Sequence, residues 1–139
     1  MMMIDDQNVR EGMRQAWLDS QPGMSEAHEE GGFVVHDANG SKSVERWPVG
    51  AKKRIFVPEH VGGRRNGLVV VATFHTHPTP NYPYRQEPSR TDILGVREDP
   101  DLAHEEYQGE YVIATELTYL IRKSGDVEVV GRTVELLRL

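Results

Sequence analysis

The sequence predicts a single α/β domain of the α+β type over residues 1–139, with a mixed β-sheet flanked by two or three helices. The 139 residues are 37% hydrophobic and 27% charged, a balance typical of globular domains that bury a core. Short apolar runs bounded by glycine, proline and asparagine alternate with stretches of helical character. No internal repeat or low-complexity linker divides the chain.

Two helices are predicted from spacing and from a start signal. Val9, Met13, Ala16 and Trp17 recur at helical spacing, which predicts an amphipathic helix over residues 7–18. A serine at position 89 followed three residues later by an aspartate is typical of a helix start, and it predicts a short helix over residues 90–97. Residues 133–139 receive no assignment.

Seven strands are predicted from apolar runs and turn residues. An Asn-Gly pair at 39–40 accepts positive φ and predicts a hairpin turn after the first strand. Residues 68–74 are apolar on both faces, which is expected of a central strand covered on both sides. The predicted strands are residues 32–37, 43–47, 53–57, 68–74, 111–114, 118–122 and 127–131.

Composition argues against several classes of protein. The formal charge is −6 and the basic residues are scattered, so nucleic-acid binding is not expected. No signal peptide begins the sequence and no apolar run approaches the ~20 residues of a membrane span, so we expect a cytoplasmic protein. There is no cysteine, which excludes disulfides and thiolate ligands. Any metal ion must therefore be held by nitrogen and oxygen atoms.

The His-Thr-His-Pro motif at 75–78 is the strongest functional signal. Histidines at i and i+2 of a strand point to the same face, and Pro78 ends the strand because it lacks an N–H. His75 and His77 supply half of a tetrahedral zinc shell. Asp92 is a candidate third ligand, although the capping box with Ser89 explains it equally well. The two interpretations are compatible, because a capped first turn is also a rigid place for a ligand.

Taken together, three motifs resemble those of the JAMM (JAB, MPN+) zinc metalloproteases. They are Glu-Glu-Gly-Gly at 29–32, His-Thr-His-Pro at 75–78 and Ser-Arg-Thr-Asp at 89–92. The resemblance implies a curved mixed sheet with flanking helices, an MPN/JAB-like fold similar to the cytidine-deaminase sandwich.

The same resemblance implies the chemical role of each motif residue. One Zn²⁺ per chain would be bound by His75, His77 and Asp92. A glutamate would deprotonate the attacking water. The family's spacing to the glycine favours Glu29 for that role and leaves Glu30 as the alternative. Ser89 would stabilise the oxyanion.

A small prokaryotic-type, single-domain (iso)peptidase is the function that the resemblance implies. Its expected substrate is a ubiquitin-like or other protein or peptide, cleaved at the C-terminus of the ubiquitin-like part of a conjugate or fusion. The alternatives are a non-catalytic scaffold or binding module of the same fold, and a zinc hydrolase of small peptides. Eleven residues separate His77 from Ser89, more than is usual in the family. We expect this longer loop to rim the cleft, with Tyr82 or Tyr84 contacting the substrate.

Overall fold

The computed structural model describes residues 2–80 and 86–139. Over these residues it has seven strands, three α-helices and three short 3₁₀ helices. The α-helices are α1 (Gln7–Asp19), α2 (Arg90–Glu98) and α3 (Thr133–Leu136). The strands are β1 (Gly31–His36), β2 (Lys42–Arg46), β3 (Arg64–Arg65), β4 (Leu68–His77), β5 (Glu110–Ala114), β6 (Leu117–Ile121) and β7 (Val127–Arg132). The 3₁₀ helices are Met3–Asp5, Val61–Gly63 and Pro100–Leu102.

All seven strands form one sheet in the order β2-β1-β4-β5-β6-β7, and β3 pairs with β4 outside this path. Strands β4 and β5 run parallel, whereas every other pairing is antiparallel. The prediction of an α/β chain with a mixed sheet and two or three helices is therefore confirmed. Strand β4 lies between β1 and β5, as its apolar sequence indicates.

Helix α1 covers one face of the sheet. Asp6 caps it by accepting hydrogen bonds from the N–H groups of Asn8 and Val9, which satisfies two donors that have no partner inside the helix. Its apolar side packs against strand residues that include Val34, Ala72 and Phe74. The helix predicted over residues 7–18 is thus confirmed and ends one residue later.

Helix α2 packs over the opposite face. Val96 belongs to a second core cluster with Phe33, Val70 and Val112. The same cluster includes Trp47, whose ring lies on Gly31, where an added Cβ would come within 2.6 Å of the ring. A glycine at the start of β1 is therefore required for the indole to lie this close.

The strand predicted over residues 53–57 is wrong. The segment lacks strand hydrogen bonding, and Ala51 N–H bonds back to the carbonyl of Arg54 instead. Ile55 is half-buried, but its neighbour Phe56 is largely exposed. The backbone of this segment closes a turn between Ala51 and Arg54 and joins none of the seven strands, so its apolar residues are not part of the sheet.

Three smaller differences come from tertiary contacts. Strand β4 continues through His77 before Pro78 ends it. Arg64–Arg65 forms a short strand against β4 in a region where we predicted no strand. The unassigned tail forms α3, where Leu137 reaches the α1-side core. Among the described residues, no helix is long and apolar enough to cross a membrane. Tyr82 and Tyr84 lie outside the described residues.

Candidate metal centre and its cleft

The two histidines of β4 lie on the face of the sheet that carries α2. They alternate with Phe74, which faces the α1 side, so the strand's two-residue period places both imidazoles together. Their Nε2 atoms are 3.1 Å apart and both side chains are buried. The prediction that His75 and His77 share a face is confirmed.

Each imidazole is held from behind through its Nδ1 atom. Nδ1 of His75 is 2.9 Å from Oε2 of Glu110, and Nδ1 of His77 is 3.0 Å from the carbonyl oxygen of Gln86. A carboxylate and a carbonyl only accept hydrogen bonds, so Nδ1 of each ring carries the proton. Both Nε2 atoms therefore present lone pairs to the same point.

Asp92 closes this group from the first turn of α2. Its Oδ1 is 3.4 Å from Nε2 of His75, and its Oδ2 is 3.4 Å from Nε2 of His77. The capping box fixes it, because Ser89 N–H donates to Oδ2 at 2.8 Å and Asp92 N–H donates to Ser89 Oγ at 3.0 Å. The helix-cap and ligand interpretations thus describe the same aspartate. The three residues offer donor atoms close enough together to hold a metal ion.

Glu29 and Glu30 point to different environments although they are neighbours. The carboxylate of Glu30 is bonded to Arg46 at 2.6 Å and to His28 at 2.7 Å. The side chain of Glu29 lines the same cleft as His75 and makes no hydrogen bond to the residues that the structure describes. Glu29 is therefore the glutamate that faces the histidine cluster, and Glu30 joins β1 to β2.

Backbone contacts explain this division. The β1–β4 register pairs Gly31 with His75, which places the preceding residues beside the end of β4. Glu30 and Thr76 exchange backbone and side-chain hydrogen bonds at 2.9 and 3.0 Å. Glu29 is instead bonded through its backbone to Gly50 and Ala51. Two neighbouring residues in an extended segment face opposite ways, so only one can enter the cleft.

Burial and charge shift the pKa values of this group. Burial raises the pKa of Glu29 to about 7, although the nearby His75 and His77 oppose the shift. Burial would also raise the pKa of Asp92, but the two imidazoles outweigh it and hold that pKa well below its usual range. Burial lowers the pKa of His75, but Glu110 and Asp92 outweigh this effect and raise it. The site thus favours a charged Asp92 and allows Glu29 to exchange a proton near neutral pH.

Ser89 lies at the cleft beside Asp92. Its oxygen accepts the Asp92 N–H, and a hydroxyl that accepts one bond still has its own proton to donate. Within the part of the chain that the structure describes, this O–H has no acceptor. It remains available to a bound molecule.

The cleft has a volume of about 490 Å³. Its lining includes Glu29, His75 and Asp92 together with Lys53, Arg54, Ile55 and Val57 from the extended segment. The indole of Trp47 also lines it, and the buried Nε1–H of that ring has no hydrogen-bond partner among the described residues. The candidate metal centre therefore opens onto a space that another molecule can enter.

A second group of possible ligands lies at the same cleft. His60, Asp99 and Asp101 also bring three donor atoms close together. Sequence reasoning missed this group, because 39 residues separate His60 from Asp99 and no motif marks either of them. It also missed Glu110 and Gln86, whose contacts with the histidines arise from the parallel β4–β5 pairing and from the loop before α2.

No protein-family model, curated protein or solved structure matches this chain.

Proposed function

We propose that this protein is a zinc-dependent metallopeptidase of the JAMM type, and that His75, His77 and Asp92 are its zinc ligands. One observation carries the proposal. The two Nε2 atoms are 3.1 Å apart, and each lies 3.4 Å from a carboxylate oxygen of Asp92, Oδ1 for His75 and Oδ2 for His77. Tetrahedral zinc with bonds of about 2.0–2.1 Å has its ligand atoms about 3.3 Å apart. Side chains held at this spacing by other contacts form a preorganised site.

The ligand set favours zinc in a catalytic rather than a structural role. Two imidazoles and a carboxylate match the three-ligand pattern of catalytic zinc, which leaves a fourth position for water or substrate. The contacts from Glu110 and Gln86 to the two Nδ1 atoms are the second layer that ligating histidines normally have. An adjacent cleft and an acid with a pKa of about 7 argue against a purely structural module.

The reaction that we propose is hydrolysis of a peptide or isopeptide bond. When bound, zinc acts as a Lewis acid that polarises the carbonyl and lowers the pKa of water. Glu29 takes a proton from the attacking water and delivers it to the leaving nitrogen as the C–N bond breaks. The Ser89 hydroxyl donates a hydrogen bond to the developing oxyanion. The water oxygen ends in the new carboxylate, and both water protons end on the leaving nitrogen, which departs as an ammonium group.

The substrate class follows from the family resemblance. We propose a protein or peptide cleaved after an extended C-terminal tail, as at the end of a ubiquitin-like protein in a conjugate or fusion. The MPN/JAB-like form of the fold is part of the same proposal. It is supported by the mixed sheet that places the Glu29, His75–His77 and Ser89–Asp92 segments around one cleft.

The test separates the two neighbouring glutamates. We expect Glu29→Gln to lower kcat by about 10²–10⁴-fold, because general acid–base catalysis is lost, while zinc content stays the same. Glu30→Gln is the matched control and should keep most of the activity. Hydrolysis would be measured on a panel of ubiquitin-like fusions and short amide substrates, with zinc measured by elemental analysis.

Each result of this experiment has a definite meaning. Full activity in Glu29→Gln, or an equal loss in Glu30→Gln, would refute the assignment of the base. Loss of zinc from Glu29→Gln would instead make Glu29 a ligand. Wild-type protein that binds zinc but cleaves nothing in the panel would contradict the peptidase proposal.

A further inference from the structure

Basic residues are concentrated in one segment beside the cleft. Residues 48–65 contain five of the 16 lysines and arginines but only one of the 22 acidic residues. The whole chain has a formal charge of −6, so this segment is a positive region on an acidic protein. Lys53 and Arg54 are exposed, and neither forms an ion pair with another described residue.

The same segment exposes large apolar side chains. Phe56 and Val49 are each 73% exposed, and Val61 is 70% exposed. A run of exposed apolar residues without a covering element costs free energy in water. Its combination with unpaired cations indicates a surface that another molecule covers.

The segment is continuous with the proposed active site. Lys53, Arg54 and Ile55 line the cleft that contains Glu29 and His75. A second cavity of about 410 Å³ is lined by Val49, Arg54, Ile55 and Phe56. Arg54 and Ile55 belong to both cavities, so a chain lying in the cleft can continue across Arg54 towards Phe56.

Trp47 adds a donor at this part of the cleft. Its side chain is almost fully buried, with 4% of its surface exposed, and its Nε1–H has no protein partner among the described residues. A buried donor without a partner costs roughly 1–3 kcal/mol. Lys53 and Arg54, which line the cleft with Trp47, donate hydrogen bonds and cannot accept them, so this part of the cleft favours a ligand rich in acceptor oxygens.

We propose that residues 47–57 form a substrate subsite for an acidic polypeptide segment. Lys53 and Arg54 bind an acidic side chain close to the scissile bond, and Phe56 and Val49 pack against an apolar residue further along the substrate. The inference rests on the proposed peptidase function and specifies its substrate. It favours substrates with an acidic tail over substrates with a basic one.

An acidic peptide suits the cleft better than a nucleic acid does. Asp92, Asp99 and Glu110 also line the cleft, and these carboxylates repel a continuous run of phosphates. A peptide can place a single carboxylate at Arg54 and leave uncharged backbone beside the acidic wall. The choice between the two therefore follows from where the charges lie.

The test measures binding without cleavage. Labelled peptides identical except for Glu, Gln or Lys near the expected cleavage point would be titrated into zinc-supplemented Glu29→Gln protein, with fluorescence anisotropy as the readout. We expect the Glu peptide to bind roughly tenfold tighter than the Lys peptide, since two partly exposed ion pairs are involved. The difference should shrink as salt is raised.

Charge reversal locates the subsite. Lys53→Glu combined with Arg54→Glu should reverse the order of the Glu and Lys peptides. Arg138→Glu is the control charge reversal. It follows Leu137, which packs on the α1 side of the sheet, and it should alter affinity less than about twofold. Phe56→Ala should weaken peptides that carry an apolar residue, whereas Val129→Ala, at another exposed valine, should not. If the double variant does not fold, the single variant Arg54→Gln is used to test the charge preference.

Other outcomes overturn the subsite. They are equal binding of the Glu and Lys peptides, equal losses in Arg138→Glu, or no binding of any peptide. Tighter binding of single-stranded oligothymidylate through Lys53 and Arg54 would assign the surface to nucleic acid instead. Hydrolysis with no charge preference would refute the subsite and leave the proposed function intact. A protein that hydrolyses no substrate but binds the peptides in the predicted order would refute the proposed function and leave the subsite intact.

Discussion

Two clusters of histidine and aspartate each contribute two residues to the same cleft, and they differ in the hydrogen bonds that their nitrogen and oxygen atoms already make. In the cluster of His60, Asp99 and Asp101, the donor atoms have protein partners. His60 is 2.7 Å from the Pro58 carbonyl through Nδ1 and 2.7 Å from Asp99 through Nε2. Asp99 Oδ1 accepts the Asp101 N–H at 2.9 Å, and Asp101 accepts the Gly62 N–H at 3.0 Å.

In the cluster of His75, His77 and Asp92, the inward-facing nitrogens have no hydrogen-bond donor from outside the cluster among the residues that the structure describes. The two Nε2 atoms are 3.1 Å apart. Each also lies 3.4 Å from a carboxylate oxygen of Asp92. Two lone pairs and a carboxylate at this distance repel one another unless a cation or a proton lies between them. Close spacing of possible ligand residues is therefore a poor criterion for a metal site. A better criterion is that the nitrogen and oxygen atoms which would bind the metal are not already hydrogen-bonded to other residues.

The largest predicted effect separates the two clusters by metal content. We expect about one zinc ion per chain in the wild type and less than about 0.1 in His77→Ala, because two remaining ligands cannot hold the ion. His60→Ala is the matched control and should keep the full amount. Elemental analysis of protein dialysed after zinc loading measures both. Zinc retained in His77→Ala, or lost in His60→Ala, would reverse the comparison.

The second effect concerns Glu29, the buried acid that lies beside the cluster of His75, His77 and Asp92. Burial raises the pKa of Glu29 to about 7 in the folded chain, against 4.5 for an unperturbed glutamate. Between these two values the folded protein holds a proton that the unfolded chain has lost, so the free energy of unfolding falls as pH rises. In metal-free protein this loss reaches about 3 kcal/mol above pH 7. The Glu29→Gln variant has no carboxyl group at this position, so it should not show this loss of stability.

The measurement is urea unfolding of metal-free wild type and Glu29→Gln from pH 4.5 to 8. The difference between the two free energies cancels the titration of other groups, and it should grow with pH in favour of the variant. Glu30→Gln removes a carboxylate that is paired with Arg46 and His28, so it should be destabilising. A difference between wild type and Glu29→Gln that does not change with pH would show that Glu29 is not desolvated.

Sequence reasoning reached the parts of the site that depend on local spacing. The two-residue period of a strand places His75 and His77 on one face, and the capping signature holds Asp92 at the start of α2. Helical periodicity likewise gave α1 nearly to the residue. Each of these features is determined by a few neighbouring residues, so the local pattern was sufficient.

Features that depend on distant contacts were not predictable in this way. Residues 53–57 have a strand-like sequence, but whether they form a strand depends on pairing with another strand, and they pair with none of the seven. Glu110 lies beside His75 only because β5 pairs in parallel with β4. The difference between Glu29 and Glu30 depends on Arg46 and His28, because both bond to the carboxylate of Glu30 and not to that of Glu29.

The third effect tests the support behind the first cluster. Glu110→Ala removes the acceptor for Nδ1–H of His75, and also the acceptor at 2.9 Å from the Thr73 hydroxyl. Outer contacts of this kind typically change metal affinity by about 10–100-fold, so we expect weaker zinc binding by that factor. Competition with a chromophoric chelator measures it. Glu106→Ala removes the carboxylate partner of His36, and it should leave zinc affinity unchanged.

The smallest effect comes from breaking the second cluster. Asp99→Ala removes the cap of the Pro100–Leu102 helix and the partner of His60, but it keeps the backbone carbonyl that Lys123 bonds. Loss of a cap costs about 1 kcal/mol, and the free energy of unfolding in urea should fall by that order. Zinc content should stay the same, because the donor atoms of this cluster already bond to the protein. Unchanged stability together with lost metal would mean that His60 and its aspartates form a binding site, and that their hydrogen bonds only hold its ligands in position.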